Sequence, residues 1–437
     1  MIEINKNRAY RKLIVGLDTK VPSANGKKVN YINFDNAATT PPFKAVMKKI
    51  CEFAPMYSSV HRGEGYKSNY SSELFDSTRS EILKFFNADE KSNIVIFVKN
   101  TTEGLNKLSY RLINDKDCVV LSSAMEHHSN DLPWRDKCKV DYVEVDSDGR
   151  LLISDLQKKL EYYNGKVKYV TISGASNVTG YVNNIYRIAE MAHSFNSKII
   201  VDGAQLVPHA KIDLKPDNDI QHIDYIVFSA HKMYAPFGIG VIIGPKEPFS
   251  LGDPEYKGGG TIKTVTMDLV DWAEPPYKEE AGSQNIIGVA ALSAAIKQLN
   301  KIGMAEIEKC EKEILKYALE SLSEIKGIEI YGETKFMGSR LGIIPFNIKG
   351  IHHSKTAKIL SEEAGISVRS GCFCAQPYVR KFLKLSPMEI QKNRGLEFDE
   401  KSGMVRLSFG LYNTKQEIDI LVHTIRHIIM NKSKYQI

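Results

Sequence analysis

Two stretches decide the fold: Lys198-Ile199-Ile200-Val201-Asp202-Gly203-Ala204-Gln205 and Ile223-Asp224-Tyr225-Ile226-Val227-Phe228-Ser229-Ala230-His231-Lys232. Each is a short run rich in β-branched residues that ends in polar side chains. Such a run reads as a buried strand that delivers functional groups at its carboxyl end. Similar runs stand at Asn93–Lys99, Cys118–Ser122, Val140–Val145, Val167–Ser173 and Val241–Gly244, with polar, helix-forming sequence such as Ile185–Phe195 between them. The alternation predicts an α/β domain built on a mostly parallel seven-stranded sheet covered by helices. In such sheets ligands bind beyond the carboxyl ends of the strands, where Asp202 and Lys232 fall.

A chain of 437 residues is too long for one core. The pattern changes after Gly258-Gly259-Gly260-Thr261 and again near Val289, where a long helical stretch (Ala290 to Ile325) leads into mixed strands and helices. The expected division is a large domain over residues 33–288 and a smaller α+β domain made of residues 1–32 and 289–437. Lys381–Lys401 is charged and poorly patterned, and reads as an exposed loop or short helix.

Composition excludes several classes. The net charge is +7, from 59 Lys+Arg against 52 Asp+Glu, but the cations are scattered, which argues against nucleic-acid binding. No apolar run is long enough to span a membrane, and the first residues lack the apolar core of a signal peptide, so a cytoplasmic location is expected. Six cysteines in a chain this long make no disulfide scaffold. Cys372-Phe373-Cys374 has no second cysteine pair and His127-His128 no third ligand at metal spacing, so no metal site is read.

The chemistry-bearing residues point to pyridoxal phosphate. That cofactor needs a lysine amine to hold its aldehyde covalently and a carboxylate to keep its pyridine nitrogen protonated. Lys232, flanked by Ser229 and His231, and Asp202, followed by the small Gly203-Ala204, supply both, with Gln205 in reach of the ring hydroxyl. Asn100-Thr101-Thr102-Glu103-Gly104 opens a helix and offers a phosphate site. His127 suits stacking on the ring. Val368-Arg369-Ser370-Gly371-Cys372-Phe373-Cys374 reads as a hinged loop presenting a thiol nucleophile. Arg406 is a natural clamp for an α-carboxylate.

Together with Phe34-Asp35-Asn36-Ala37-Ala38-Thr39, His61-Arg62-Gly63, Ser176-Asn177-Val178-Thr179-Gly180 and Glu280-Ala281-Gly282-Ser283, these motifs resemble the fold-type I enzymes of the class V aminotransferase family. Within it the chain is most similar to the SUF-type cysteine desulfurases and selenocysteine lyases. The resemblance implies pyridoxal phosphate carried by Lys232, with Asp202, Gln205, His127 and Asn177 at the ring and Thr101, Thr102, Ser229 and His231 at the phosphate. It implies a homodimer whose sites are shared, Thr261 reaching the partner's phosphate. Arg406, Asn177 and Arg369 would bind a small amino-acid substrate. Lys232, His127 and Cys374 would be catalytic, Cys374 forming a persulfide for a sulfur-acceptor protein. Other reactions of the family (transamination, epimerisation, C–S lysis) would leave Cys374 idle. Where the family usually has glycine before the threonines this chain has Asn100, a residue that tolerates left-handed backbone. Cys372 stands as a second thiol able to resolve or store the sulfur of Cys374.

Overall fold

The computed structural model describes residues 9–61, 63–335, 338–397 and 400–435; Arg62 and the first eight residues lie outside them. Seven strands form the large sheet in the order Asn93–Val98, Gly240–Pro245, Tyr225–Ser229, Lys198–Asp202, Val167–Ser173, Val119–Ser123, Lys139–Val143. All pairings are parallel except those of Gly240–Pro245, which is antiparallel to both neighbours. Both faces are buried. Val95, Phe97, Val201, Ile226, Phe228 and Val241 turn to one core, and Ile96, Val98, Ile200, Val227 and Ile242 to the other. This two-residue alternation between two apolar layers is why the strands read as continuous hydrophobic runs.

Two glycines let backbone and helix approach the sheet. A Cβ on Gly104 would lie 2.5 Å from Cγ1 of Val227, so the helix Thr101–Leu112 rests directly on the strand that leads to Lys232. A Cβ on Gly240 would lie 2.7 Å from Cα of Asn100, so the chain entering that helix is pressed against the sheet.

The smaller sheet is antiparallel, ordered Ile328–Ile330, Ile343–Ile348, Met404–Ser408, Arg369–Gly371. Its core joins Ile344, Phe346, Val405 and Leu407 to Leu315 and Leu319 of the helix Met304–Ser323 and to Leu421 and Ile425 of the helix Lys415–Met430. The long helical stretch is two helices, Ile286–Ile302 and Met304–Ser323, broken at Gly303 with φ of 91°. The expected boundary at 288/289 falls inside the first of them, whose Val289, Leu292 and Ile296 belong to the large core along with Ile14 and Leu17. Ile32 and Phe34 belong to the small one. We propose a seam within Met304–Ser323, where Ile307 faces the large core and Ile314 the small. The segment 381–401 carries a short helix at Pro387–Arg394 that buries none of its residues.

Candidate active site

The carboxyl ends of the strands open into a cavity of about 540 Å³, a size suited to a cofactor with a small substrate. Lys232, Asp202, Gln205, His127, Asn177 and Ser229 line it, as do Thr101, Thr102, His231, Arg369, Cys374 and Arg406. Residues separated by more than 300 positions in the chain therefore meet in one space.

One end of the cavity is built on the helix Thr101–Leu112. Ser229 Oγ accepts from Thr101 N at 2.8 Å and lies 2.7 Å from Thr101 Oγ1, while Thr102 Oγ1 lies 2.7 Å from Ser129 Oγ. Asn100 departs from the expected left-handed backbone: it is extended, at φ −167°, and its side chain accepts from Glu103 N at 3.0 Å. Its fitness for the position is helix capping, about 1 kcal/mol for such a residue. The result is an amide and a cluster of hydroxyls at a helix N-terminus, the chemistry of an anion cradle.

Asp202 is buried and accepts from Ala204 N at 2.9 Å. Burial pushes its carboxyl up, against the pull of that amide and of Lys232. Burial also lowers the Lys232 amine to about 8, Arg406 adding to the fall and Asp202 opposing it. Gln205 donates from Nε2 to Ala37 O at 2.7 Å and leaves its Oε1 buried without a partner. An orphaned amide oxygen beside a lysine and a carboxylate fits a polar ring substituent.

His127 accepts from Ser129 N at Nδ1, 3.1 Å, so its ring proton sits on Nε2. Burial, then Lys232, His128 and Arg406, holds the ring down at about 3, and it stays neutral at ordinary pH. His231, lowered to about 4 by burial and by Lys232, is neutral too. Beneath them Glu126 is fully buried, accepting from Ser123 Oγ, Ser173 N, Ser173 Oγ and Asn130 Nδ2. Burial raises it to about 7 in spite of those bonds.

Residues of the smaller sheet and the loop after Gly371 complete the cavity wall. Arg406 Nη1 donates to Asn177 O at 2.9 Å and Nη2 meets Asp35 Oδ1 at 3.1 Å, while Nε is buried and unpartnered. Arg369, directly opposite it in the sheet, holds the other oxygen of Asp35 at 2.9 Å. Burial lowers the Arg406 guanidinium to about 10, with Asp35 resisting. The thiol loop is strained: Phe373 and Cys374 adopt φ of 52° and 55°, sparsely populated for residues with a side chain. Three contacts over-determine it. Asn177 Nδ2 donates to Phe373 O at 2.7 Å, His128 N to Cys374 O at 2.7 Å, and Gln376 N to His128 Nε2 at 3.2 Å. The Phe373 ring lies 5.0 Å beneath the Arg406 guanidinium. Cys374 is exposed to solvent, whereas Cys372 donates to Ser402 O at 3.4 Å and burial pushes its thiol up.

The profile of the family described as aminotransferase class-V matches residues 32–421. The chain belongs to the class-V aminotransferase family. A probable cysteine desulfurase of Halalkalibacterium halodurans is 36% identical over 421 residues, covering 94% of this chain and 95% of its own. A cysteine desulfurase of Haloferax volcanii is 33% identical, covering 94% and 92%. Among solved structures, the apo cysteine desulfurase of Thermococcus onnurineus superposes with a TM-score of 0.81 at 30% identity, over 92% of this chain and 95% of that one. The cysteine desulfurase CsdA of Escherichia coli does so with 0.80 at 26%, over 97% and 98%. Class-V aminotransferase family members depend on pyridoxal phosphate, and this chain is an enzyme of that kind.

Thr261 stands outside the cavity of its own chain, buried, with Oγ1 donating to Gly258 O at 2.7 Å. Two residues that hold side chains of this cavity in place were not singled out by the sequence pattern as site residues. Asp35, inside a recognised motif, bridges both arginines, and His128, seen only as a neighbour of His127, ties the thiol loop to the large domain. Each acts through contacts between segments more than 200 residues apart.

Proposed function

We propose that the protein is a cysteine desulfurase that converts L-cysteine to L-alanine and leaves the sulfur as a persulfide on Cys374. The observation that carries this reading is the thiol loop. A solvent-exposed cysteine, on backbone held left-handed by Asn177 and His128, lines the same cavity as Lys232 and Arg406. A cysteine with no part in the reaction would not need a loop strained and pinned at three points.

The residues present fit pyridoxal phosphate. Thr101, Thr102, Ser229 and His231 would hold its phosphate, Asp202 its ring nitrogen, Gln205 and Asn177 the ring edge, His127 the ring face and Lys232 its aldehyde. Bound there, the cofactor supplies a sink for the electron pair released at the substrate's Cα. Arg406, with Arg369 beside it, orients the substrate carboxylate; its buried, unpartnered Nε is an unused donor for that group. Lys232, with basicity lowered to about 8, holds a neutral fraction large enough to take the Cα proton and return it. The neutral His127 offers a flat face and an Nε2–H donor without adding a competing charge. Cys374 then attacks the substrate sulfur as thiolate: the Cβ–S bond breaks, an S–S bond forms, and the electron pair left on carbon takes up a proton to give alanine.

The protein acts, on this reading, as a cytoplasmic homodimer in which Thr261 serves the partner's phosphate, and a sulfur-acceptor protein takes the persulfide from the exposed Cys374. Among the described residues no helix is long and apolar enough to cross a membrane. The raised, hydrogen-bonded Cys372 thiol speaks against its acting as a resolving thiolate.

The deciding experiment is alanine and sulfide release from L-cysteine with a reductant, wild type against Cys374→Ala. Equimolar products from wild type, lost in the variant while the yellow cofactor band remains, support the reading. Undiminished turnover in the variant would overturn it and direct attention to transamination, epimerisation or C–S lysis.

A further inference from the structure

The turn that carries Lys232 is braced by Thr40, which meets His231 across 191 positions of chain. Ala230–Lys232 is a single tight helical turn after the strand Tyr225–Ser229. The chain leaves it through Tyr234, whose φ of 63° is left-handed. That backbone is sparsely populated for a residue with a bulky side chain, and it persists only where the surroundings over-determine it.

Four contacts do so. Tyr234 N donates to Thr40 Oγ1 at 2.8 Å, and Tyr234 O accepts from Phe43 N at 3.2 Å. The Tyr234 ring stacks on Phe43 at 4.3 Å and 28°, and its hydroxyl accepts from Leu411 N at 3.3 Å. Thr40 and Tyr234 are both buried.

Thr40 is the member of this set that also grips the other side of Lys232. Its N donates to His231 O at 3.0 Å, and its Oγ1 donates to the same carbonyl at 3.2 Å. A hydroxyl has one proton to give and lone pairs to receive with. Giving to His231 O and receiving from Tyr234 N therefore ties the residue before Lys232 to the residue two after it through a single atom. Thr39 Oγ1 donates to His231 O as well, at 3.1 Å. Without the Thr40 hydroxyl that carbonyl keeps two donors, whereas the buried Tyr234 N loses this acceptor, and the left-handed turn is free to relax.

The two tasks read for Lys232 demand such a brace. The lysine holds the cofactor and also moves a proton at the substrate's Cα, so its side chain changes partner while its Cα must stay fixed. Asp202 ends a strand of the large sheet and does not move with the turn. A misplacement of about 1 Å at a reacting group costs as much as about 100-fold in rate.

We propose that Thr40 is a positioning residue for Lys232: its hydroxyl clamps the left-handed turn and so sets where the amine stands. The proposal rests on Lys232 carrying the cofactor.

The test compares Thr40→Val, which keeps the shape and removes the hydroxyl, with Thr40→Ser, which keeps the hydroxyl, both as cofactor-loaded enzyme. Thr40→Val should lower kcat for alanine release from L-cysteine roughly 10- to 100-fold. KM should change little, because the Arg406 clamp is untouched. The bound cofactor should lose visible circular dichroism relative to its absorbance, the sign of an altered tilt, and the cofactor-free variant should capture pyridoxal phosphate more slowly. These last two readouts need no substrate and stand whichever reaction the enzyme performs. Thr40→Ser should restore all of them, and Thr39→Val should match wild type. A purely structural role would lower Tm and leave kcat, dichroism and capture at wild-type values below the transition. Lys232→Ala tests the reading beneath: cofactor still fixed to the protein by borohydride in that variant overturns the reading and the proposal with it. With that fixation lost in Lys232→Ala, wild-type values in Thr40→Val, or equal losses in Thr40→Ser or Thr39→Val, overturn the proposal alone.

Discussion

Substituting Gly240 by alanine tests how the phosphate cradle is held. A Cβ there would sit 2.7, 2.8 and 3.0 Å from Cα, C and N of Asn100. All three neighbours are backbone, so no side chain can swing aside; either the strand Gly240–Pro245 or the entry to the helix Thr101–Leu112 must move. That strand is paired on both sides, to Asn93–Val98 and to Tyr225–Ser229, so the helix entry is the part that yields. Overpacking of this kind costs about 1–3 kcal/mol. Without cofactor the helix start can shift and relieve much of it. With cofactor bound, Thr101 and Thr102 must return to their places, and the cost appears as lost affinity, roughly 5- to 150-fold at about 1.4 kcal/mol per decade. The assay is titration of cofactor-free enzyme with pyridoxal phosphate, followed by the absorbance of the bound form, alongside Gly395→Ala. Gly395 is exposed and its nearest outside atom would be 3.9 Å away, so that variant should match wild type. Unchanged affinity and Tm in Gly240→Ala would refute the claim that this close approach positions the cradle.

Three further outcomes follow. The rate at which cofactor-free enzyme captures pyridoxal phosphate should rise with pH and level off above about 8, because only the neutral Lys232 amine reacts and its folded value is lowered to about 8; at pH 7 about a tenth of the amine is then neutral, against roughly one part in three thousand for an ordinary lysine. A rate still climbing at pH 10 would count against it. Asp35→Asn should raise the KM for the amino acid and lower Tm, since a buried guanidinium loses its carboxylate; breaking a buried pair costs about 3–5 kcal/mol, and less here because Asp35 keeps some exposure, about 1–3. An unaltered KM with normal Tm would show the clamp to be idle. Glu126 is raised from its usual 4.5 to about 7, so the folded state favours its protonated form: its contribution to stability is complete below pH 4.5 and is lost as pH rises through 7. Glu126→Gln should flatten that loss, by roughly 3 kcal/mol at 1.36 kcal/mol per unit, seen as a Tm gap from wild type that shifts in the variant's favour from pH 5 to pH 8. A pH-independent gap would contradict it.

Much of the proposed cofactor site was legible in the sequence because its groups lie at strand ends. Asp202 and Ser229 each end a five-residue strand, and Lys232 follows in the next turn, so the two-residue period of the strands points them at the same rim. Thr101 and Thr102 open a helix after another strand and were legible for the same reason. Asn100 was misread in mechanism, though not in place, because a cap and a left-handed turn favour the same residue type. The expected boundary at 288/289 and the proposed seam differ because the helix Ile286–Ile302 carries apolar residues that suit either core, while its packing against Lys44–Phe53 and Tyr66–Phe85 favours the large one.

What the local pattern of the chain determined is therefore the α/β platform, its cofactor and the thiol, since short-range periodicity and motif spacing express themselves within a strand and its following turn. What the tertiary structure alone decided is how distant charges share a site. Asp35 lies between Arg406 and Arg369 across more than 330 residues of chain. His128 pins a loop 248 positions away, and Thr40 meets His231, beside Lys232, across 191 positions. Those pairings are set by where packed elements bring side chains together through space, a relation that local sequence order does not encode.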